Sequence, residues 1–242
     1  RVIMDVNKSI RYVMEDKQWI SKLVIGALMS MLGFLIVPPL ILQGYIVKII
    51  RHVMNGNWDS LPEWEDWGEL LRDGFFVTVA QIVYTLPFII LMIVGGLATG
   101  GVASISGSED LAAVAATGGG LLLMCLVLLF VVALLFLTPA ILIQYAIKGE
   151  FAACFRFGEV VAIIRNNMAD ILIAFLVSIA AALVVSLVGG ILAIIPCLGW
   201  IAAFVLGLAV GPYISFVTGH LYGQIAAKIL GNKAGGTYSG MA

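Results

Sequence analysis

Three runs of the chain contain no Asp, Glu, Lys or Arg: Gly74 to Ser108, Leu111 to Ile147 and Ile171 to Ala227. Crossing the roughly 30 Å hydrocarbon core of a bilayer takes about 20 helical residues, so each run has room for one or two spans. The whole chain of 242 residues is 62% hydrophobic and 11% charged, with a mean hydropathy of +1.12. Soluble domains carry about 25% charged residues, which excludes that class. Nothing alternates polar and apolar with period two over segments of about 10 residues, so a membrane barrel is excluded as well. The sequence therefore predicts an all-α, polytopic helical membrane protein whose first partner is the lipid bilayer.

The 13 basic residues fall in four patches: Arg1 to Lys22, Lys48 to Arg72, Lys148 to Arg165, and Lys228 with Lys233. The connections around Gly95 to Gly120 and Gly189 to Gly199 contain none. Under the positive-inside rule the patches face the cytoplasm and the bare connections face outward. Spans are then expected at about 75–97, 119–147, 170–189 and 199–227. Both termini come out cytoplasmic, in a multi-pass protein of a prokaryotic plasma membrane.

Lys22 to Lys48 could cross once, but a single crossing would invert everything after it. Charge bias favours a short or re-entrant hairpin turning near Gly33, with irregular backbone at its tip buried in protein. The expected organisation is one membrane domain over residues 1–242. An amphipathic segment (1–18) leads to the short hairpin (20–53) and an acidic tryptophan-rich interfacial helix (57–73). A second hairpin (75–147), an amphipathic segment (150–168), a third hairpin (170–228) and a flexible tail (229–242) follow. Three helical hairpins thus alternate with interfacial helices on the cytoplasmic side. Pro39, Pro139 and Pro212 recur on the second arms and are expected hinges, because proline removes a helical hydrogen bond.

Small residues recur every fourth position through Gly207, Gly211, Ser215, Gly219 and Gly223. A matching ridge runs through Ala174, Ser178, Ala182, Ser186 and Gly190. Lipid tails give helices no hydrophobic reason to pair, so small faces that allow close backbone approach are expected to pack on each other or on another subunit.

Between Gly56 and Leu70, "GNWDSLPEWEDWGEL" gathers Trp58, Trp64 and Trp67 with Asp59, Glu63, Glu65, Asp66 and Glu69. Ser60 and Glu63 have capping-box spacing, which predicts a helix from there to about Asp73. Trp64, Trp67 and Leu71 would share its apolar face and anchor it in the interface. Its acids need a cationic surface, since anionic lipid repels them. The first amphipathic segment, with Lys8, Arg11, Lys17 and Lys22, offers one. A partner subunit is a second possibility, and a cation held by Asp59, Glu63, Asp66 and Glu69 a third.

Gly44-Tyr45, the stretch Arg51 to Gly56, and "LPEWEDWG" at Leu61 to Gly68 resemble a family of prokaryotic membrane proteins. It is the domain-of-unknown-function family numbered four thousand and thirteen. The resemblance covers residues 19–75 and implies several spans without assigning an activity. The sequence departs from it at the hairpin tip, where Leu32-Gly33-Phe34 stand in place of a proline and a polar residue.

Catalytic chemistry finds no foothold in the motifs. There is no G-x-x-x-x-G-K-[ST], H-E-x-x-H or G-x-S-x-G pattern, which would mark phosphate, zinc or serine chemistry. Cys125, Cys154 and Cys197 lack ligand-like spacing. The net charge of −1 suggests no nucleic-acid partner. No Asp, Glu, Lys or Arg lies well inside the four long spans, which argues against ion-coupled transport. The expectation is a non-enzymatic accessory or scaffold subunit, without cofactor or metal, joined to other membrane subunits or to itself. The alternatives are a passive transporter or channel for a neutral or apolar solute, and pigment or haem binding through His220.

Overall fold

The computed structural model describes residues 4–105 and 108–234. Among them are seven α-helices and no strand: α1 (Val6–Glu15), α2 (Trp19–Met31), α3 (Val37–Met54), α4 (Trp67–Ile105), α5 (Glu109–Lys148), α6 (Phe157–Ala193) and α7 (Leu198–Ala234). A 3₁₀ turn, Phe151–Phe155, links α5 to α6. Four helices, α4 to α7, are long and apolar enough to cross a membrane.

Local chemistry places several boundaries. Asp5 caps α1, its carboxylate accepting the Lys8 amide at 2.8 Å, which satisfies an otherwise orphaned first-turn donor. Pro38 and Pro39 sit in the first turn of α3, where a missing N–H costs nothing. Pro39 is therefore a helix starter, which corrects its reading as a hinge. The same helix stops at Asn55, and Gly56 follows with φ +94°, a left-handed conformation open to glycine at little cost. Pro139 and Pro212 lie inside continuous helices. The non-helical residue within a long helix is Asn167 in α6, at φ −131° and ψ 24°. Helix α7 continues to Ala234, so residues 229–234 are not the start of a tail; residues 235–242 lie outside the described residues.

At 1.5 Å per residue, the 39-residue α4 is about 58 Å long. That is nearly twice the hydrocarbon thickness of a bilayer, and the packing divides the helix accordingly. Up to Ala80 it supplies buried residues to a core, while beyond it Ile90, Val94 and Leu97 stand exposed. The same division appears in α5 on either side of Pro139, in α6 beyond Ala174 and in α7 before Pro212. One zone is thus a packed head and the other a pair of apolar arms. The α4–α5 arm holds together through stacked Phe88 and Phe130, with ring centroids 3.6 Å apart. The α6–α7 pair is bonded through Ser178 and Thr218, whose hydroxyls lie 2.9 Å apart.

Helix α3 is the axis of the head. Val47 and Ile50 join one core cluster with Val77, Ile141 and Ile225. Tyr45, Ile49 and Val53 join another with Tyr12, Trp64 and Phe216. Helix α3 is therefore buried on two flanks, while Lys48 and Arg51 project from it to bond the 55–66 loop and Asp73. Helices α3 and α4 touch backbone to backbone. A Cβ on Gly44 would overlap the Leu70 carbonyl oxygen, and one on Gly74 would overlap that of Leu40.

These contacts carry a prediction. Gly44→Ala or Gly74→Ala forces α3 and α4 apart and should destabilise the fold by about 1–3 kcal/mol, the usual cost of overpacking. Gly68, which has nothing within 4 Å of its Cβ position, should accept alanine without loss. Thermal unfolding of the detergent-solubilised variants reads the difference.

Candidate functional site

The loop Asn55–Asp66, between α3 and α4, is the most densely bonded irregular segment of the head, and it is not helical. The capped helix expected from Ser60 therefore does not form, and α4 begins at Trp67. Tertiary partners hold the non-helical segment instead. The Leu61 amide donates to Asp16 Oδ2 at 2.9 Å, and the Leu61 and Pro62 carbonyls accept from Lys22 Nζ and Tyr45 Oη at 2.8 Å each. Glu63 pairs with Lys22 at 2.7 Å instead of reaching back along the chain. Asp66 adopts φ +55°, and its carbonyl accepts the amides of Glu69 and Leu70, which starts α4.

The three tryptophans differ in exposure: Trp64 is buried, Trp58 half-buried and Trp67 exposed. Trp64 is 9% exposed and stacks on Tyr45, centroids 3.7 Å apart and planes 3° from parallel. Its indole N–H donates to the Lys22 carbonyl at 3.2 Å. Trp58 meets His220 edge-on at 5.9 Å. Trp67 stacks on Trp64 at 5.9 Å and is the exposed member of the three. The helical face expected of Trp64, Trp67 and Leu71 does not form, because α4 begins only at Trp67; Trp64 and Trp67 still stack on each other, and Trp64 covers Tyr45.

The acids of the segment meet cations of the same chain. Lys8 bonds Asp59 and also Glu15, the latter at 2.6 Å. Both contacts, Asp59 foremost, raise the Lys8 pKa. Glu69 lies 3.7 Å from Arg51 and 3.4 Å from Arg72. Asp66 has no ion pair among the described residues. The deepest pair is Lys22 with Asp16 at 2.9 Å, the two side chains 4% and 5% exposed. Burial pushes the Asp16 pKa up, but the Lys22 ammonium and the amides of Gln18 and Leu61 outweigh it and hold Asp16 below its ordinary value. Among the described residues no group of three or more His, Cys, Asp or Glu side chains could hold a metal.

His220 is fully buried. Its Nδ1 lies 2.8 Å from Ser9 Oγ and 3.1 Å from Gln224 Nε2. The rings of Tyr12, centroid 4.3 Å away, and Trp58 pack against it. The imidazole is thus enclosed by side chains and ties α1 to α7.

The small-residue ridge is divided. Gly219 faces Ile46 and Ile49, and Gly223 faces Val53. This half packs on α3 and not on the α6 ridge that the spacing suggested, because α3 enters the head between the long helices. Gly207 and Gly211 have nothing within 4 Å of their Cβ positions, and the Ser215 hydroxyl returns to the Gly211 carbonyl at 3.0 Å. Gly26 of α2 receives Pro212.

Sequence reasoning passed over Asp16 and Asp73. Asp73, 2% exposed, accepts from Arg51, from Arg72 at 3.2 Å and from Tyr145 Oη at 2.7 Å, joining α3, α4 and α5. The available signal was position: Asp73 is the last charge before an uncharged run, one turn from Glu69.

Removing one member of a buried pair strands the other charge, so Lys22→Met should cost about 3–5 kcal/mol. Because Asp16 titrates below its ordinary value when folded, its stabilisation is complete above the unfolded pKa of about 3.9. It is lost as pH falls through the lower folded value. The melting temperatures of the wild type and Asp16→Asn should therefore differ at neutral pH and converge in acid below pH ~4. A difference that persists unchanged through that acid range would contradict the assignment.

The family model described as "Protein of unknown function (DUF4013)" matches residues 31–194. The uncharacterized protein MJ1189 of Methanocaldococcus jannaschii is 30% identical over 153 residues, which cover 62% of this chain and 51% of the relative. The chain thus spans about half the length of that curated relative. No solved structure matches. With more than half of its length inside the family match, including the whole acidic tryptophan loop and its seat on α3, the chain belongs to the DUF4013 family.

Proposed function

We propose that this protein is a non-enzymatic integral protein of the prokaryotic plasma membrane that serves as an accessory or scaffold subunit of a larger assembly. The observation that carries the reading is a set of open glycine faces on the apolar arms. Gly96 and Gly100 on α4, and Gly207 and Gly211 on α7, each stand one turn apart with nothing within 4 Å of their Cβ positions. Close helix approach in lipid relies on such faces, and in this chain Gly219 and Gly223 already serve that purpose toward α3. Asp59, Glu63 and Glu69 of the tryptophan segment already pair with cations of the same chain, which favours the arms as the surface for partners.

The basic residues orient the proposal. Lys8, Lys22, Lys48, Arg51 and Lys228 all belong to the head, which supports a cytoplasmic head under the positive-inside rule. Helices α4 to α7 then cross the bilayer through their apolar arms, and the α4–α5 turn near Ser108 faces outward. Helices α2 and α3 would enter the near leaflet as a re-entrant hairpin. Its tip, Phe34 to Val37, is exposed in the single chain and not buried in protein as the sequence suggested. The cover that its irregular backbone needs there would come from a partner subunit.

Two measurements test this reading. Native mass spectrometry after gentle solubilisation should show a heteromeric partner or a defined oligomer. Gly100→Leu and Gly211→Leu should weaken it about tenfold, equivalent to roughly 1.4 kcal/mol, without lowering the melting temperature. A strictly monomeric protein in the mildest detergents would sink the proposal. In a cysteine-free background, an impermeant thiol reagent should label Ser108→Cys in intact cells and Ser60→Cys only after lysis; the reverse pattern inverts the topology.

A further inference from the structure

An open groove of about 440 Å³ runs between α1, α6 and α7. Val177, Ala181 and Val184 of α6, Val210 and Ile214 of α7, and Ile10 of α1 line it. The two hydroxyls on its wall, Ser178 and Thr218, bond each other, so the groove offers no free polar group there. The Tyr213 hydroxyl donates to the Ile10 carbonyl at 2.8 Å and holds α1 along the groove's edge.

The basic residues of the first segment divide sharply. Lys8 is neutralised by Glu15 and Asp59, and Lys22 by Asp16 and Glu63. Arg11 and Lys17 are exposed and pair with no acid among the described residues. Arg11 directly follows the groove residue Ile10, and Met14, one turn further, is 59% exposed. An apolar slot in the flank of two long apolar helices therefore borders α1, which carries the exposed Arg11 next to the lining residue Ile10 and is followed two residues after its end by the exposed Lys17. That succession, apolar chain and then negative head, is the pattern of an anionic amphiphile.

We propose that the groove, with Arg11 of α1 and Lys17 just beyond the end of that helix, forms a binding site for one anionic phospholipid of the bilayer. An acyl chain lies between α6 and α7, and the phosphate meets the two cations. Charge complementarity favours this occupant over an apolar protein helix, which would leave both cations unmatched. The slot also opens on the arms of α6 and α7, where acyl chains lie if those helices cross the membrane. The site requires only that crossing and not membership of an assembly, so the oligomer experiment and the lipid experiment fail independently.

The test is native mass spectrometry of the full chain in detergent, titrated with phosphatidylglycerol or with phosphatidylcholine. The first phosphatidylglycerol should bind about tenfold more tightly than phosphatidylcholine, the scale expected for two cations near an anionic headgroup. Arg11→Gln with Lys17→Gln should reduce that preference to about twofold or less, whereas Arg11→Lys should keep it, since a point charge suffices. Val184→Phe, at a groove position 62% exposed and remote from the head core, should weaken the first binding event for both lipids by occupying the slot. No headgroup preference in the wild type would overturn the proposal. So would a full preference in the double glutamine variant, or unchanged binding in Val184→Phe. The glutamine substitutions lie on exposed side chains without partners, so they report on the site even if the phenylalanine variant proves unstable.

Discussion

The head is organised around one buried ion pair. Lys22 and Asp16 lie 2.9 Å apart and almost wholly out of solvent, where charges are costly unless their remaining hydrogen-bonding capacity is met. Here it is met by the backbone. Asp16 accepts the amides of Gln18 and Leu61, and Lys22 donates to the Leu61 carbonyl and pairs with Glu63. The pair thereby joins the end of α1, the start of α2 and the middle of the 55–66 loop. With Leu61 pinned, Trp64 is delivered onto Tyr45, and α3 is covered on the flank facing the loop.

A second polar centre serves the other side of α3. Asp73 gathers Arg51, Arg72 and Tyr145 from three helices, and Arg51 also lies over the Tyr145 ring at 5.4 Å. Both centres lie within the head, the first on α1, α2 and the 55–66 loop and the second on the head portions of α3, α4 and α5. Charge is thus concentrated where it can be paired, and among the described residues of the arms it is limited to Glu109 and Asp110 at the start of α5, away from the head. Close backbone contact between α3 and α4 at Gly44 and Gly74 lets a short helix fit among much longer ones.

Some of this was legible in residue order. Uncharged runs marked α4 to α7, the break near Gly33 falls between α2 and α3, and Lys8 and Lys22 do meet acids of the tryptophan segment. The helix expected from Ser60 was wrong because capping-box spacing is a local signal. It lost to the anchors at Leu61, Pro62 and Trp64, whose partners lie 17 to 45 positions away. The tryptophans were assigned to lipid because composition does not show that Tyr45 offers a flat partner. Every fourth position being small announced a packing ridge in α7 but not that α3 would take half of it. Asp73 looked like a helix-end residue because its importance depends on Arg51 and Tyr145 arriving from other helices.

By itself the sequence determined the class of the protein. Long uncharged apolar runs make helices, because a backbone away from water must bond internally, and blocks of charge mark where those helices leave the apolar environment. Tertiary structure alone decided which charges became partners, which glycines were covered and which apolar surface stayed open. Those outcomes depend on distances between residues far apart in the chain. The acidic tryptophan segment shows the division: its composition demanded cations, and only the fold determined that Lys8, Lys22, Arg51 and Arg72 supply them while Arg11 and Lys17 remain free.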